Sequence, residues 1–542
     1  MSNNPKHPAA DSGSTGKREE ELLLPTEKQE KEDLVTGDSA GATPALESAV
    51  TSTVEEEMEV EFDSDGVAVM VPKLAESDAA SGGGSGRQHN RLINPDEELT
   101  TQRAGQIALR LALPSLIENL LMSLVGMADM IMVGRLGAAA TAAVGITNQP
   151  IFFATAIFQA LNVGTTALVA RLIGARDYKQ ANEAARQTLV LVTILGFIVS
   201  SGLFLFSVPI LHAMKAEPDT MAYAIGYFRI VCVSLVFAQI TMACNAQVRG
   251  AGDTRNPMIN NTATNLINVV LNYLLINGVF GFPRMEVAGA ATATAISRFV
   301  GMCMALALVF RGNSSIHISF KEPFRFNWDI ARRVANVGLP SAIEQFVMRG
   351  GNLIFATTVT GLGTVTYASH VVAMNIQSLS MAPGMGFGMA ATTLVGQSLG
   401  AKRTDWAEAC GWVTQRMSMF LAVPMTIYLF FFGTTVARLY SDVPTVIEQA
   451  GRVLKIVAFT QVPQMSQVVL AGGLRGAGDT RWSLYSTTIG IWGVRVVLAL
   501  LLVNHFQMGL IGAWTALAAD QLVRSAIIIL RFRAGHWKSI KV

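Results

Sequence analysis

Two regimes of pattern divide the chain. Residues 1–100 show almost no apolar periodicity. From about residue 105 onward, apolar runs of span length follow one another, separated by short clusters of Gly, Pro and charged residues. A helix needs about 20 predominantly apolar residues to cross the hydrocarbon of a bilayer. Twelve such runs begin near Ile107, Thr141, Thr188, Tyr223, Met258 and Val287, then near Ala331, Tyr367, Val413, Val446, Trp482 and Gly509. The pattern predicts an all-α, multi-pass membrane protein with twelve transmembrane helices.

The runs form two sets. Leu113-Pro114-Ser115-Leu116-Ile117-Glu118 returns as Leu339-Pro340-Ser341-Ala342-Ile343-Glu344, and Arg249-Gly250-Ala251-Gly252-Asp253-Thr254-Arg255 returns as Arg475-Gly476-Ala477-Gly478-Asp479-Thr480-Arg481, each 226 residues later. Gly137 and Gly363, and Gly174 and Gly400, keep the same offset. A repeat on this scale in so apolar a chain points to a transporter built from related halves. The expected layout is a tail over 1–100, an N-lobe over 101–312, a linker over 313–330 and a C-lobe over 331–542. Basic residues concentrate in alternate loops, such as Arg171, Arg176 and Lys179, or Lys402 and Arg403. The positive-inside rule then puts both termini in the cytoplasm of a cell with its inner (plasma) membrane as host. Six spans per half make the repeats parallel, related by a pseudo-two-fold along the membrane normal, with a cleft between two six-helix lobes.

Composition sharpens the split. Hydrophobic residues make up 51% of the chain and charged residues 15%, against roughly 25% charge in soluble domains. Residues 1–100 carry 8 Lys/Arg and 22 Asp/Glu, whereas the remainder carries 33 and 17. So acidic and apolar-poor a tail is expected to be disordered and cytoplasmic. It lacks the apolar core of a signal peptide and is too acidic for a transit peptide. The four cysteines lie singly in apolar stretches, with no metal-ligand or disulfide spacing. No cofactor, no metal and no nucleic acid partner are expected, and the chain is read as a monomer in the lipid bilayer.

Three elements then make the chain recognisable. They are Ala128-Asp129-Met130-Ile131-Met132-Val133-Gly134-Arg135-Leu136-Gly137, Tyr367-Ala368-Ser369-His370-Val371-Val372-Ala373-Met374-Asn375, and the paired Arg-Gly-x-Gly-Asp-Thr loop. Over roughly residues 105–535 the chain resembles the multidrug and toxic compound extrusion (MATE) family. The resemblance implies a V-shaped pair of six-helix bundles. It also implies export of small organic, often cationic, substrates in exchange for H⁺ or Na⁺.

Charges inside spans are costly, so each is a functional candidate. Glu118 and Asp129 lie 11 residues apart in the first span, about 20° past three full helical turns, and so share one face. A carboxylate desolvated in a cleft can take up and release protons near neutrality. Asp129 aligns with the first-span Asp that the family uses for coupling. In DinF-like and archaeal members an Asn and an Asp on the fifth span and a Thr on the sixth accompany it. Those positions fall on Asn268, Asn272 and Thr294, so Asn272 replaces an acid. Glu118 is our own candidate for the missing carboxylate. NorM-type members place acids at positions that fall here on Met348 and Gln464. Their loss argues against a Na⁺ site in the second lobe and favours H⁺.

Glu344, Arg349 and Gln464 are read as C-lobe cleft residues, with Arg349 either neutralised by Glu344 or lining the cleft. Arg495 and Asp520 are read as a structural ion pair. The leading function is a secondary-active efflux antiporter. The alternatives are a lipid-linked oligosaccharide flippase of the same superfamily and a non-transporting scaffold. An intramembrane enzyme is disfavoured, because no Walker, Gly-x-Ser-x-Gly or His-Glu-x-x-His motif occurs.

Overall fold

The computed structural model describes residues 58–62, 68–72, 100–214, 217–312, 315–318 and 326–540. The chain divides into two units, residues 1–87 and 88–542. In the first, β1 (Met58–Phe62) pairs antiparallel with β2 (Ala68–Pro72), Val60 opposite Met70. This hairpin falls within residues 1–100, the segment expected to be a disordered tail. Met58-Glu59-Val60-Glu61-Phe62 alternates apolar and acidic residues, the period of a strand. The rest of that expectation lies outside the described residues.

The second unit is helical. Six long helices make the N-lobe: α1 (Thr101–Gly134), α2 (Ala138–Gly174), α3 (Tyr178–Leu205), α4 (Pro218–Gly250), α5 (Arg255–Asn277) and α6 (Glu286–Arg311). Six more follow: α7 (Trp328–Thr360), α8 (Thr364–Gly400), α9 (Thr404–Arg438), α10 (Pro444–Gly476), α11 (Thr480–His505) and α12 (Gly509–Ala534). Among the described residues, nine of these are long and apolar enough to cross a membrane by length and composition. The other three are α5, α7 and α8. Helix α5 carries Asn260, Asn261, Asn265, Asn268 and Asn272 within its span. Side chains aimed at a polar interior lower hydropathy without shortening the helix.

The repeat recurs in backbone detail. Gly137 and Gly363 both have positive φ (109° and 99°), as do Arg176 and Lys402 (63° and 59°) and Gly252 and Gly478 (94° and 86°). Each pair is 226 residues apart, so the same joins are built twice. Pro218 and Pro444 likewise open α4 and α10, where a missing N–H is harmless.

One register change breaks the repeat. Arg255 matches Arg481 at an offset of 226, but Leu274-Leu275-Ile276-Asn277 matches Leu501-Leu502-Val503-Asn504 at 227. The added residue falls where α11 widens into π-helical turns, Ile489–Val496 and Leu501–His505. A π-turn absorbs one extra residue without breaking the helix, and such turns gather at functional sites.

The first helix of each lobe also packs against the other lobe. Ala104, Ala108, Leu111 and Ala112 of α1 pack into one core with Phe387, Ala390 and Leu394 of α8. Ile330 and Val334 of α7 pack into a core with Leu168 and Leu172 of α2. The described part of the inter-lobe linker joins that core, with Ile316 and Ile318 buried. The lobes approach most closely at the end that carries the basic loops. There a side chain on Gly174 would overlap the Gln397 carbonyl, and one on Gly400 would overlap the Arg171 carbonyl. Thr393 Oγ1 donates to Arg249 O at 3.0 Å, and Gln397 Nε2 donates to Gly250 O at 3.1 Å.

Candidate functional site

Above this seal the lobes enclose a cavity of about 690 Å³. Its wall takes residues from α1, α2, α4 and α5 on one side and from α7, α8, α10, α11 and α12 on the other. The N-lobe wall is rich in amides, with Asn119, Asn162, Asn245, Asn261 and Asn265. Asn162 is 7% exposed, and neither polar atom of its side chain has a hydrogen-bond partner. The C-lobe wall is richer in methionine. Seven methionines line the cavity, five of them from the C-lobe, Met348 among them. Methionine is flexible and polarisable and adapts to varied apolar shapes.

Two buried glutamates anchor the wall, and the repeat relates them. Glu118 Oε1 accepts from Arg249 Nη2 at 2.5 Å and from Asn261 Nδ2 at 2.5 Å. Glu344 Oε1 lies 3.5 Å from Arg475 Nη2 and accepts from Thr487 Oγ1 at 3.0 Å. All three positions recur 226 residues later, with Thr487 in place of Asn261. Sequence reading singled out the glutamates and, separately, the Arg-Gly-x-Gly-Asp-Thr loop. The common offset was the signal that joined them.

Asp129 sits elsewhere, outside the cavity wall. Asn272 Nδ2 donates to its Oδ1 at 2.7 Å. With its amide turned to face the carboxylate, Asn268 Nδ2 lies 3.3 Å and 3.2 Å from the two oxygens. Thr294 Oγ1 and Ser297 Oγ lie 3.3 Å and 3.4 Å from the Asn268 amide. The structure therefore brings together Asp129, Asn268, Asn272 and Thr294, and adds Ser297. It does not bring Glu118 to them. Sharing one face of α1 was not enough, because Arg249 and Asn261 hold Glu118 about three turns away.

The C-lobe candidates separate too. Gln464 lines the cavity, and Gln377 Nε2 donates to its Oε1 at 3.5 Å. Arg349 is not neutralised by Glu344, which faces Arg475. Its guanidinium lies over the Phe152 ring at 5.1 Å, outside the cavity wall. His370 packs among the rings of Phe355, Tyr367 and Trp514. Arg495 reaches Asp520 through Nε at 3.0 Å and also through Nη2. Asp520 is wholly buried and also faces Arg524, whose Nε is 3.0 Å from Oδ1. Arg495 Nη1 donates to Asn352 Oδ1 at 2.7 Å. Arg524 and Asn352 were not foreseen as partners. Each contact joins different helices or lies one turn along α12, and no motif marks it.

A helical membrane protein with two six-helix repeats around a shared cavity is the architecture of a transporter. The MatE family profile matches residues 114–274 and again 340–501. The chain belongs to the MATE family, a family of transporters and not of enzymes. It is 34% identical over 448 residues to a Thermotoga maritima protein described as "Probable multidrug resistance protein NorM", covering 82% of this chain and 95% of that one. A Shewanella oneidensis protein of the same description is 30% identical over 435 residues, covering 78% and 94%. Among solved structures, the fold matches a multidrug resistance MATE family transporter of the MOP superfamily in an outward-facing conformation (TM-score 0.74, 24% identity, 80% and 97% covered). It also matches MATE in complex with MaL6 (TM-score 0.76, 24% identity, 80% and 96% covered).

Proposed function

We propose that this protein is a secondary-active efflux antiporter that exports small organic compounds in exchange for inward H⁺. Asp129 is the proton carrier in this reading. The observation that carries it is the amide cage: a carboxylate within a membrane span, held by Asn272 and Asn268, outside the wall of a cavity of about 690 Å³. Amides can bind either form of a carboxyl group by donating or accepting. Protonation then changes the α1–α5–α6 contacts without requiring a second charge. Glu118 is assigned to the Arg249 latch and not to proton transfer.

Sodium is the weaker choice. A hard cation wants several oxygen ligands, commonly carboxylates, and the wall has neutral Met348 and Gln464 at the positions where the family resemblance implies acids in NorM-type members. The multidrug description of the relatives supports a broad range of organic substrates, as do the cavity methionines. With the basic loops in the cytoplasm, the glycine seal at Gly174 and Gly400 closes the cytoplasmic side, and both termini are cytoplasmic.

The test is export of a fluorescent organic substrate from proteoliposomes under separately imposed gradients. An inward proton gradient alone is expected to drive export. A Na⁺ gradient at equal pH is expected to add little. Robust export under the Na⁺ gradient would overturn the proton assignment.

A further inference from the structure

We infer that the cavity binds amphiphilic organic anions through Arg495 and Arg524, an inference that rests on the exporter reading above. The argument is a charge count along the wall. Among the lining residues four are arginines (Arg249, Arg475, Arg495 and Arg524) and two are acids (Glu118 and Glu344). The two glutamates are committed to Arg249 and Arg475. Arg495 and Arg524 share one carboxylate, Asp520, which lies behind them with no exposed surface. One positive charge is left over in a site where both guanidiniums are more than nine-tenths buried.

A buried charge without a counter-charge is costly, and more so within a membrane. An incoming oxyanion removes that cost. The planar guanidinium fork suits carboxylate or sulfonate oxygens, which it can bind in a bidentate manner. The rest of the wall suits an apolar body, with methionines on the C-lobe side.

The repeat reinforces the assignment. At the shifted offset of 227, Arg495 is the counterpart of Asn268. At the original offset, Phe355 is the counterpart of Asp129, and Arg495 lies 5.8 Å over its ring. The C-lobe thus puts a cation where the N-lobe puts an anion's amide partner. The π-turn that adds the extra residue contains Arg495 itself and Ile491, both in the cavity wall.

The test compares two dyes with one xanthene core, sulforhodamine B (a net anion) and rhodamine 6G (a cation), on the full chain. Binding is read by fluorescence anisotropy in lipid nanodiscs and export in proteoliposomes under an inward proton gradient. The wild-type protein is expected to bind and export sulforhodamine B in preference. Arg524→Gln removes the surplus charge and keeps the Arg495–Asp520 pair. It is expected to weaken sulforhodamine B binding about tenfold and to leave rhodamine 6G no weaker. Export of rhodamine 6G with none of sulforhodamine B would overturn the inference and leave the exporter reading standing. Export of neither dye would overturn both. Unchanged sulforhodamine B binding by Arg524→Gln would also overturn the inference. If that variant fails to fold, the wild-type ranking of the two dyes decides alone.

Discussion

The two lobes share a scaffold but carry opposite chemistry at matching depths. In the N-lobe, Asp129 is an acid surrounded by neutral amides and hydroxyls, outside the cavity wall. In the C-lobe, the matching region holds Arg495 beside Phe355, with Arg524 and a wholly buried Asp520, and the two arginines face the cavity. The first arrangement holds a carboxylate by neutral amides, so a change in its charge breaks no ion pair. The second is a cluster in which two guanidiniums share one carboxylate. In the proposed function one lobe of the repeat carries the exchangeable proton and the other a surplus positive charge.

The glutamate latches sharpen this contrast, because here the lobes share chemistry and differ in tightness. Glu118 is held at 2.5 Å by both Arg249 and Asn261, while Glu344 lies 3.5 Å from Arg475. Breaking a buried pair by removing one partner costs about 3 kcal/mol or more, because the other charge is left alone. Arg249→Ala is therefore expected to lower unfolding free energy by about 3 kcal/mol. Glu118→Gln added to it should recover most of that loss. Arg475→Ala is expected to cost about 1 kcal/mol, since a longer, wetter pair is worth less. Thermal unfolding in one detergent ranks the three variants, and equal losses at Arg249 and Arg475 would erase the asymmetry. A smaller effect is expected from Met348→Glu, which puts a carboxylate into the C-lobe wall and offsets its surplus charge. Sulforhodamine B binding should weaken by about fivefold, with rhodamine 6G moving the other way. A uniform loss for both dyes would mean that Met348 acts through shape alone.

Much of the fold was legible in the sequence, for reasons that also mark where reading stops. Hydropathy locates spans but not helix ends. The run expected from Thr188 is a helix from Tyr178, and the run expected from Val413 is a helix from Thr404. In both, the first turns carry charged residues that lower hydropathy, such as Lys179, Glu183, Asp405 and Glu408. The cap marks the boundary: Asp177 accepts from Gln180 N at 2.9 Å and starts α3. The amide cage was legible through the resemblance, residue by residue. The partner of Glu118 was not, since helical phase places a side chain on a face but does not say which neighbour packs there. The Arg495–Arg524–Asp520 cluster was half legible. Arg495 and Asp520 stood out as charges within spans, whereas Arg524 lies one turn along α12 among basic residues that read as a cytoplasmic end.

The central claim is a division of labour, with coupling at Asp129 and substrate binding elsewhere. Asp129→Asn tests it most directly, because it keeps the size and the amide contacts while removing the proton site. Sulforhodamine B binding in nanodiscs and its export under an inward proton gradient are measured on the same purified variant. Binding within about twofold of wild type, with gradient-driven export abolished, is the predicted result. Export at the wild-type rate, or loss of binding together with export, would contradict the account.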